Sequence, residues 1–327
     1  MYLSVIARCG GDERVQVLVT GGAGFIGSHV VDALVARGDT VTVLDDLSSG
    51  KLENLKNHKG SGAFQFVRGD IRDTKAVGKA LSDADAVIHE AAMVSVPLSV
   101  KNPELTHSVN VEGTLNLLKA SSDRGVRRFI FASSCAVYGE QKKLPISEDA
   151  PSRPLSPYAA SKLAAEQNCL AFRDLGGLEA VCLRYFNVYG PRQTSGEYAG
   201  VMIKFLERIH AGQPPIIYGD GKQTRDFVHA QDVVEATLLA LEHDGVAGEV
   251  INIGTGRGVK INELCEIFLK TAGKPHIKPV HEDARVGDVR YSQADISKAR
   301  KLLGFEPKVS LEKGVEMLWG SMRGGRP

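Results

Sequence analysis

The run Val15-Gln16-Val17-Leu18-Val19 feeds directly into Thr20-Gly21-Gly22-Ala23-Gly24-Phe25-Ile26-Gly27, and Ile26 through Ala36 then carries apolar residues at helical spacing. A buried strand, a glycine turn and a helix in that order constrain the fold more than any other stretch of the chain. Gly21, Gly24 and Gly27 let the backbone approach a pyrophosphate, whose negative charge is favoured at a helix N-terminus, so Gly21, Gly24, Phe25, Ile26 and Gly27 are candidate cofactor contacts. The spacing is G-x-x-G-x-x-G rather than G-x-G-x-x-G. A second strand, Val41-Thr42-Val43-Leu44, ends in Asp45, at the distance where an acidic residue meets the adenosine ribose. A carboxylate there hydrogen-bonds a 2'-hydroxyl and repels a 2'-phosphate. NAD is therefore expected rather than NADP.

Short apolar runs recur with helical stretches between them: Phe64 to Val67, Ala86 to His89, Phe129 to Ala132 and Val181 to Arg184. That alternation predicts an α/β fold, a Rossmann-type doubly wound parallel sheet in which ligands lie at the carboxyl ends of the strands. After Gly190 the pattern changes, with Pro191, Pro214-Pro215 and Gly219-Asp220-Gly221 marking loops, so a smaller C-terminal substrate lobe is expected from about residue 185. A chain of 327 residues has room for a large core and such a lobe.

A second motif carries chemistry. In Ser156-Pro157-Tyr158-Ala159-Ala160-Ser161-Lys162 a serine can cap, a proline can take the first helical position, and Tyr158 and Lys162 then share a helix face. A free tyrosine has a pKa of roughly 10, but a cation one turn away favours the phenolate, which makes Tyr158 a candidate general base for a hydroxyl. In isolation the pattern reads first as a core tyrosine beside a solvated lysine; the nucleotide-binding context reverses that in favour of the catalytic reading.

The rest of the sequence narrows the class by exclusion. A net charge of +1 with 24% charged residues points to no nucleic-acid or membrane-surface partner. Cys9, Cys135, Cys169, Cys182 and Cys265 have no metal-ligand spacing, which fits reduced thiols in a cytoplasm and no metal. No apolar run approaches the ~20 residues of a membrane span. The first 14 residues lack the pattern of a secretory signal and are expected to form a loose extension.

Thr20 to Gly27, Gly69-Asp70-Ile71-Arg72-Asp73, Ser133-Ser134-Cys135-Ala136-Val137-Tyr138-Gly139, Tyr158-x-x-x-Lys162 and Arg184-Tyr185-Phe186-Asn187-Val188-Tyr189-Gly190-Pro191-Arg192 together resemble the extended short-chain dehydrogenases, and within them the nucleotide-sugar 4-epimerases of the UDP-glucose 4-epimerase type. The resemblance runs from about Val15 to the last helix. It implies an NAD-binding domain over residues 1–184, to which 227–253 returns, and a nucleotide-sugar lobe over 185–226 and 254–327. It implies a catalytic set of Tyr158, Lys162 and Ser134, with Ser134 bonding the reacting hydroxyl and Lys162 holding the nicotinamide ribose. Asp70 and Ile71 would contact adenine, Ala91 and Ala92 would line the cofactor path, and Asn110 matches the family's asparagine by the active-site helix, where a structural amide is the other reading. Asn187, Arg225 and Arg285 match positions that grip the substrate diphosphate, a task suited to the guanidinium fork. Asp288 matches a residue that holds the uridine ribose, Tyr218 lies where the uracil pocket is expected, and Ser95 and Ser292 match positions near the sugar; the small Ser292 would leave room for an N-acetyl group.

The implied reaction is C4 epimerisation through a 4-keto sugar that turns on its diphosphate tether, with bound NAD and no net redox change. The 4,6-dehydratases of the same superfamily carry Asp-Glu where this chain has Cys135-Ala136, which speaks against dehydration. A UDP-glucuronate epimerase or decarboxylase remains an alternative, as does a non-catalytic nucleotide-sugar sensor, although the intact Ser134, Tyr158 and Lys162 speak against a sensor. By resemblance a homodimer is expected, built from the helix around Pro103 to Ser121 and the one opening at Pro157.

Overall fold

The structure, a computed structural model, describes residues 14–193, 199–284 and 288–323. Its strands are β1 (Gln16–Thr20), β2 (Thr40–Asp45), β3 (Phe64–Arg68), β4 (Ala86–His89), β5 (Arg128–Ser134), β6 (Glu179–Tyr185), β7 (Asn187–Tyr189), β8 (Ile216–Tyr218), β9 (Thr224–Arg225), β10 (Phe227–His229), β11 (Val250–Ile253), β12 (Val259–Lys260) and β13 (Val280–Glu282). The helices are α1 (Phe25–Ala36), α2 (Thr74–Ala80), α3 (Val96–Lys101), α4 (Pro103–His107), α5 (Gly113–Asp123), α6 (Pro157–Gly176), α7 (Val201–His210), α8 (Ala230–Glu242), α9 (Ile261–Thr271), α10 (Ser297–Leu303) and α11 (Leu311–Arg323).

Seven strands form one parallel sheet in the order β11-β6-β5-β4-β1-β2-β3, the doubly wound arrangement that the alternation predicts. Successive side chains of a strand point to opposite faces, and both faces here are covered. Val17 and Val19 of β1 join a core cluster with α1 and α8, while Leu18 between them joins another with α2, α5 and α6. Burial on both sides is why these strands read as unbroken apolar runs. β11 lies beyond β6 at the sheet edge, so the chain returns there after α7 and β8 have built a third core with α9 and α11. β10, at the start of that return, pairs instead with β7 in a separate two-stranded sheet.

Two differences from the sequence reading matter for the site. β5 runs through Ser133 and Ser134, two residues beyond the apolar run, so Ser134 is held by strand register opposite Tyr185. The helix expected around Pro103 to Ser121 is divided, with a π-helical turn over Ser108–Glu112 between α4 and α5. Of the expected N-terminal extension only Arg14 falls within the described residues.

Candidate active site

The glycine turn is shaped by close approach rather than by flexibility. Gly21 has φ +68°, and a Cβ there would stand 2.6 Å from the amide nitrogen of Ala91. A Cβ on Gly27 would stand 2.3 Å from the carbonyl oxygen of Gly21. No side chain among the described residues caps α1, and its first turn holds no acidic residue, so its N–H groups face the turn with their positive end unopposed. Asp45 closes the cradle from β2: its Oδ2 accepts from the Ala23 N–H at 2.9 Å and its Oδ1 from the Leu47 N–H at 2.8 Å. Burial raises its pKa, and these two N–H groups oppose that rise. A bare backbone turn, an uncapped helix N-terminus and a carboxylate at the end of the next strand fit a dinucleotide.

A proton-ordered chain lies beneath this cradle. Thr114 Oγ1 donates to the Asn110 carbonyl at 2.7 Å, so it accepts from His89 Nε2 at 2.8 Å, which leaves His89 Nδ1 to accept from Thr20 Oγ1 at 2.6 Å. Burial accordingly pushes the His89 pKa down to about 3, and the ring stays neutral. Asn110 itself spends its amide on the protein: Nδ2 donates to the Met93 carbonyl and to Ser161 Oγ, and Oδ1 accepts from the Met93 N–H. Of its two sequence readings, these bonds make it a brace between the loop after β4 and α6. Ile71 is buried against Gly113, and the Asp70 carboxylate is forked onto Arg72.

The helix α6 starts as the sequence predicts, with Ser156 Oγ accepting from the Ala159 N–H at 3.1 Å and Pro157 at the first position. Tyr158 keeps an exposed edge while its hydroxyl end is enclosed and faces Ser134. Lys162 is buried, donates to the Ala132 carbonyl at 2.7 Å and lies 4.9 Å from the Phe131 ring centre. The expectation that Lys162 lowers the Tyr158 pKa is corrected here. Burial pushes the phenol up to about 12, Ser134 opposes that rise, and Cys135 and Glu90 add to it. The ammonium is turned to a carbonyl, and desolvation lowers its own pKa.

On the other side of the cleft, Arg225 on β9 pairs with Asp288, and Asn187 Nδ2 donates to the Asp226 carbonyl at 3.3 Å. Arg285 lies outside the described residues. Tyr218 lines a cavity of ≈ 560 Å³ with His281, Glu282 and Asp283. Ser292 is only 7% exposed and lies beside the thiol of Cys135, next to Ser134. Ser95 Oγ accepts from the Leu98 N–H as the cap of α3. The sequence reading passed over Asp226, whose carboxylate accepts from Thr255 N–H and Oγ1, Gly256 N–H and Ala294 N–H. It also passed over Glu90, although a charged residue directly after the apolar strand Ala86–His89, at the end where ligands bind, was a signal.

A glycine cradle at the head of a doubly wound sheet, with a tyrosine, a lysine and a serine converging from α6 and β5, defines an extended short-chain dehydrogenase. The chain belongs to the NAD-dependent epimerase/dehydratase family, whose profile matches residues 17–254. It is 41% identical over 310 residues to a putative UDP-glucose 4-epimerase of Methanocaldococcus jannaschii, covering 94% of this chain and 98% of that one. Among solved structures it resembles the UDP-glucose 4-epimerase of Thermotoga maritima bound to UDP-glucose, at 43% identity and TM-score 0.90, covering 95% and 99% of the two chains. It also resembles the UDP-N-acetylglucosamine 4-epimerase of Methanobrevibacter ruminantium in complex with UDP-N-acetylmuramic acid, at 39% identity and TM-score 0.91, covering 96% and 100%. Among the described residues no helix is long and apolar enough to cross a membrane, and no cluster of three or more potential metal ligands occurs.

Proposed function

We propose that this protein is a UDP-glucose 4-epimerase-like isomerase that interconverts C4 epimers of a UDP-hexose through a 4-keto sugar, using bound NAD. The observation that carries the reading is the Tyr158–Ser134 contact at the carboxyl end of the sheet, beside a cradle that fits the dinucleotide. When bound, the nicotinamide supplies reversible acceptance of the C4 hydrogen with its electron pair. Tyr158 takes the proton of the C4 hydroxyl and later returns it, and Ser134 orients that hydroxyl. Lys162 holds the nicotinamide ribose. Gly21, Gly24, Phe25, Ile26, Gly27, Asp45, Asp70, Ile71, Ala91, Ala92 and Asn110 form or brace the cofactor site. Asn187, Arg225 and Arg285 grip the diphosphate, Asp288 and Tyr218 the uridine, and Ser95 and Ser292 face the sugar. Residues 1–184 with 227–253 form the NAD-binding domain, and 185–226 with 254–327 the sugar-nucleotide lobe.

Dehydration is disfavoured because its acid/base pair would fall on Cys135 and Ala136, and an alanine side chain has no proton to exchange. The physiological setting we propose is galactose metabolism in the cytoplasm, with the enzyme a homodimer.

A panel of UDP-hexoses, including UDP-glucuronate, each checked for its C4 epimer, tests the reading. UDP-galactose is expected to be converted, and UDP-N-acetylgalactosamine at least detectably. Ser292→Tyr fills the space beside Cys135 and should depress the N-acetylated activity far more than the other. Equal losses would remove Ser292 from the sugar pocket, and a wild type converting no member of the panel would overturn the function.

A further inference from the structure

Glu90 follows β4 directly, and its backbone N–H is bound to the Thr20 carbonyl at 3.1 Å. Its carboxyl group meets the hydroxyl of Tyr185 on β6, and the reaction described above makes no use of it. Tyr185 OH lies 2.9 Å from Glu90 Oε1 and 2.9 Å from Thr237 Oγ1, and Thr237 Oγ1 lies 2.9 Å from the Val233 carbonyl. These are three oxygen-to-oxygen contacts in a row, each needing one proton. The two hydroxyl groups supply two. With Glu90 ionised, Tyr185 donates to the carboxylate and Thr237 can serve either Tyr185 or Val233, so one contact goes without. With Glu90 protonated, Glu90 donates to Tyr185, Tyr185 to Thr237 and Thr237 to Val233, and all three are satisfied.

Glu90 is linked electrostatically to two groups on α6. The Lys162 ammonium favours its ionised form, and that ionised form in turn favours the ammonium while opposing a phenolate at Tyr158. From β6 the facing titratable group is Tyr185, from α8 the polar neighbour is Thr237, and on β4 itself His89 is kept neutral by burial and by Lys162.

We propose that Glu90 is a titrating positioning residue: its carboxyl group is protonated when the chain to Val233 is complete, and its ionised form is the counter-ion that keeps Lys162 an ammonium. This rests on the epimerase reading in one respect, the task given to Lys162. Burial pushes the Glu90 pKa up to about 7, with the Tyr185 hydrogen bond and Lys162 opposing, so the exchange falls in the working range of an enzyme at neutral pH. Burial alone would strip Lys162 of its proton too readily. Glu90 supplies the opposite charge as the pH rises, when Lys162 needs it.

The test uses the NAD-loaded protein and Glu90→Gln, whose amide can still donate to Tyr185. Infrared difference spectra across neutral pH should show the carbonyl band of a protonated carboxylic acid disappearing in the wild type, with that component missing from Glu90→Gln. In the pH profile of kcat/KM the alkaline limb of Glu90→Gln should move down by about one pH unit, because Lys162 has lost its counter-charge, and the acid limb set by Tyr158 should move down with it, because the charge opposing the phenolate is gone. Thr237→Val frees the Tyr185 proton for the carboxylate, so it should shift the wild-type infrared titration to lower pH by about one unit.

Absence of the protonated-acid band, a Glu90→Gln rate lowered by one factor at every pH, or a Thr237→Val titration superimposed on the wild type would each overturn the proposal. The infrared measurements need no turnover. A wild type that epimerises nothing would therefore fail the functional reading while the band still decides the state of Glu90.

Discussion

Tyr158 illustrates how little a residue's pattern says about its charge. Its spacing from Lys162 is the family's, yet the enclosed phenol is pushed up to about 12 rather than down, because desolvation outweighs a cation that is turned to the Ala132 carbonyl. A base must be deprotonated to act, so the wild-type rate should fall as pH drops below the pKa that Tyr158 has in the working complex. Tyr158→Phe removes the base and little else, since the phenol's partner is Ser134 rather than the cradle. Its kcat should fall roughly 10²–10⁴-fold with NAD retained on purification, and the acid limb should vanish from its pH profile. Turnover near the wild-type rate would remove Tyr158 from its role. Thr20, His89 and Thr114 make a second point at this scale. Each is unremarkable alone, and their contacts span 69 and 25 residues, so the fixed tautomer that ties the glycine turn to α5 cannot be read from any local window.

At the scale of elements, legibility follows the physics of burial. Ala86–His89 stands as the sequence predicts, because a strand covered on both faces must be apolar throughout. The end of β5 escaped for the opposite reason: Ser133 and Ser134 carry no hydrophobic signal, and Ser133 is held in the strand by Glu166, 33 residues on. The π-turn at Ser108–Glu112 leaves no trace in a helical period, and the partners of Glu90 come from β6 and α8. Asp226 belongs to this scale as well. It precedes β10 and draws the Thr255–Gly256 loop and the Ala294 backbone onto one carboxylate, which joins the return segment to the stretch that carries Ser292. Asp226→Asn would set an NH₂ donor against N–H groups, breaking one or two charge-assisted bonds at a cost of about 2–4 kcal/mol. UDP-sugar affinity, measured by calorimetry, and the thermal midpoint should both fall while bound NAD is unchanged, because the glycine cradle shares none of these contacts. Loss of NAD alongside would show that the two halves of the site are not separable in this way.

At the scale of the whole molecule, one group of exposed apolar side chains falls on neighbouring helices. Val94 and Val100 are 66% and 64% exposed, and Val96, Leu105 and Leu115 are also uncovered, all in or beside α3, α4 and α5. These helices already pack their other faces on α6, so the exposed residues are not part of the intramolecular core. Adjacent exposed apolar side chains on neighbouring helices suit a second copy of the same chain, because a twofold axis sets a patch against itself. Such an interface should be insensitive to salt, since few charges have to be screened. Light scattering at micromolar concentration should give about twice the 35.1 kDa chain mass at both low and high ionic strength. Leu105→Asp combined with Leu115→Asp sets two carboxylates from each copy into the buried patch and should yield the single-chain mass with NAD still bound. A wild type found only at 35.1 kDa would refute the dimer, and an undissociated double variant would move the interface to another face.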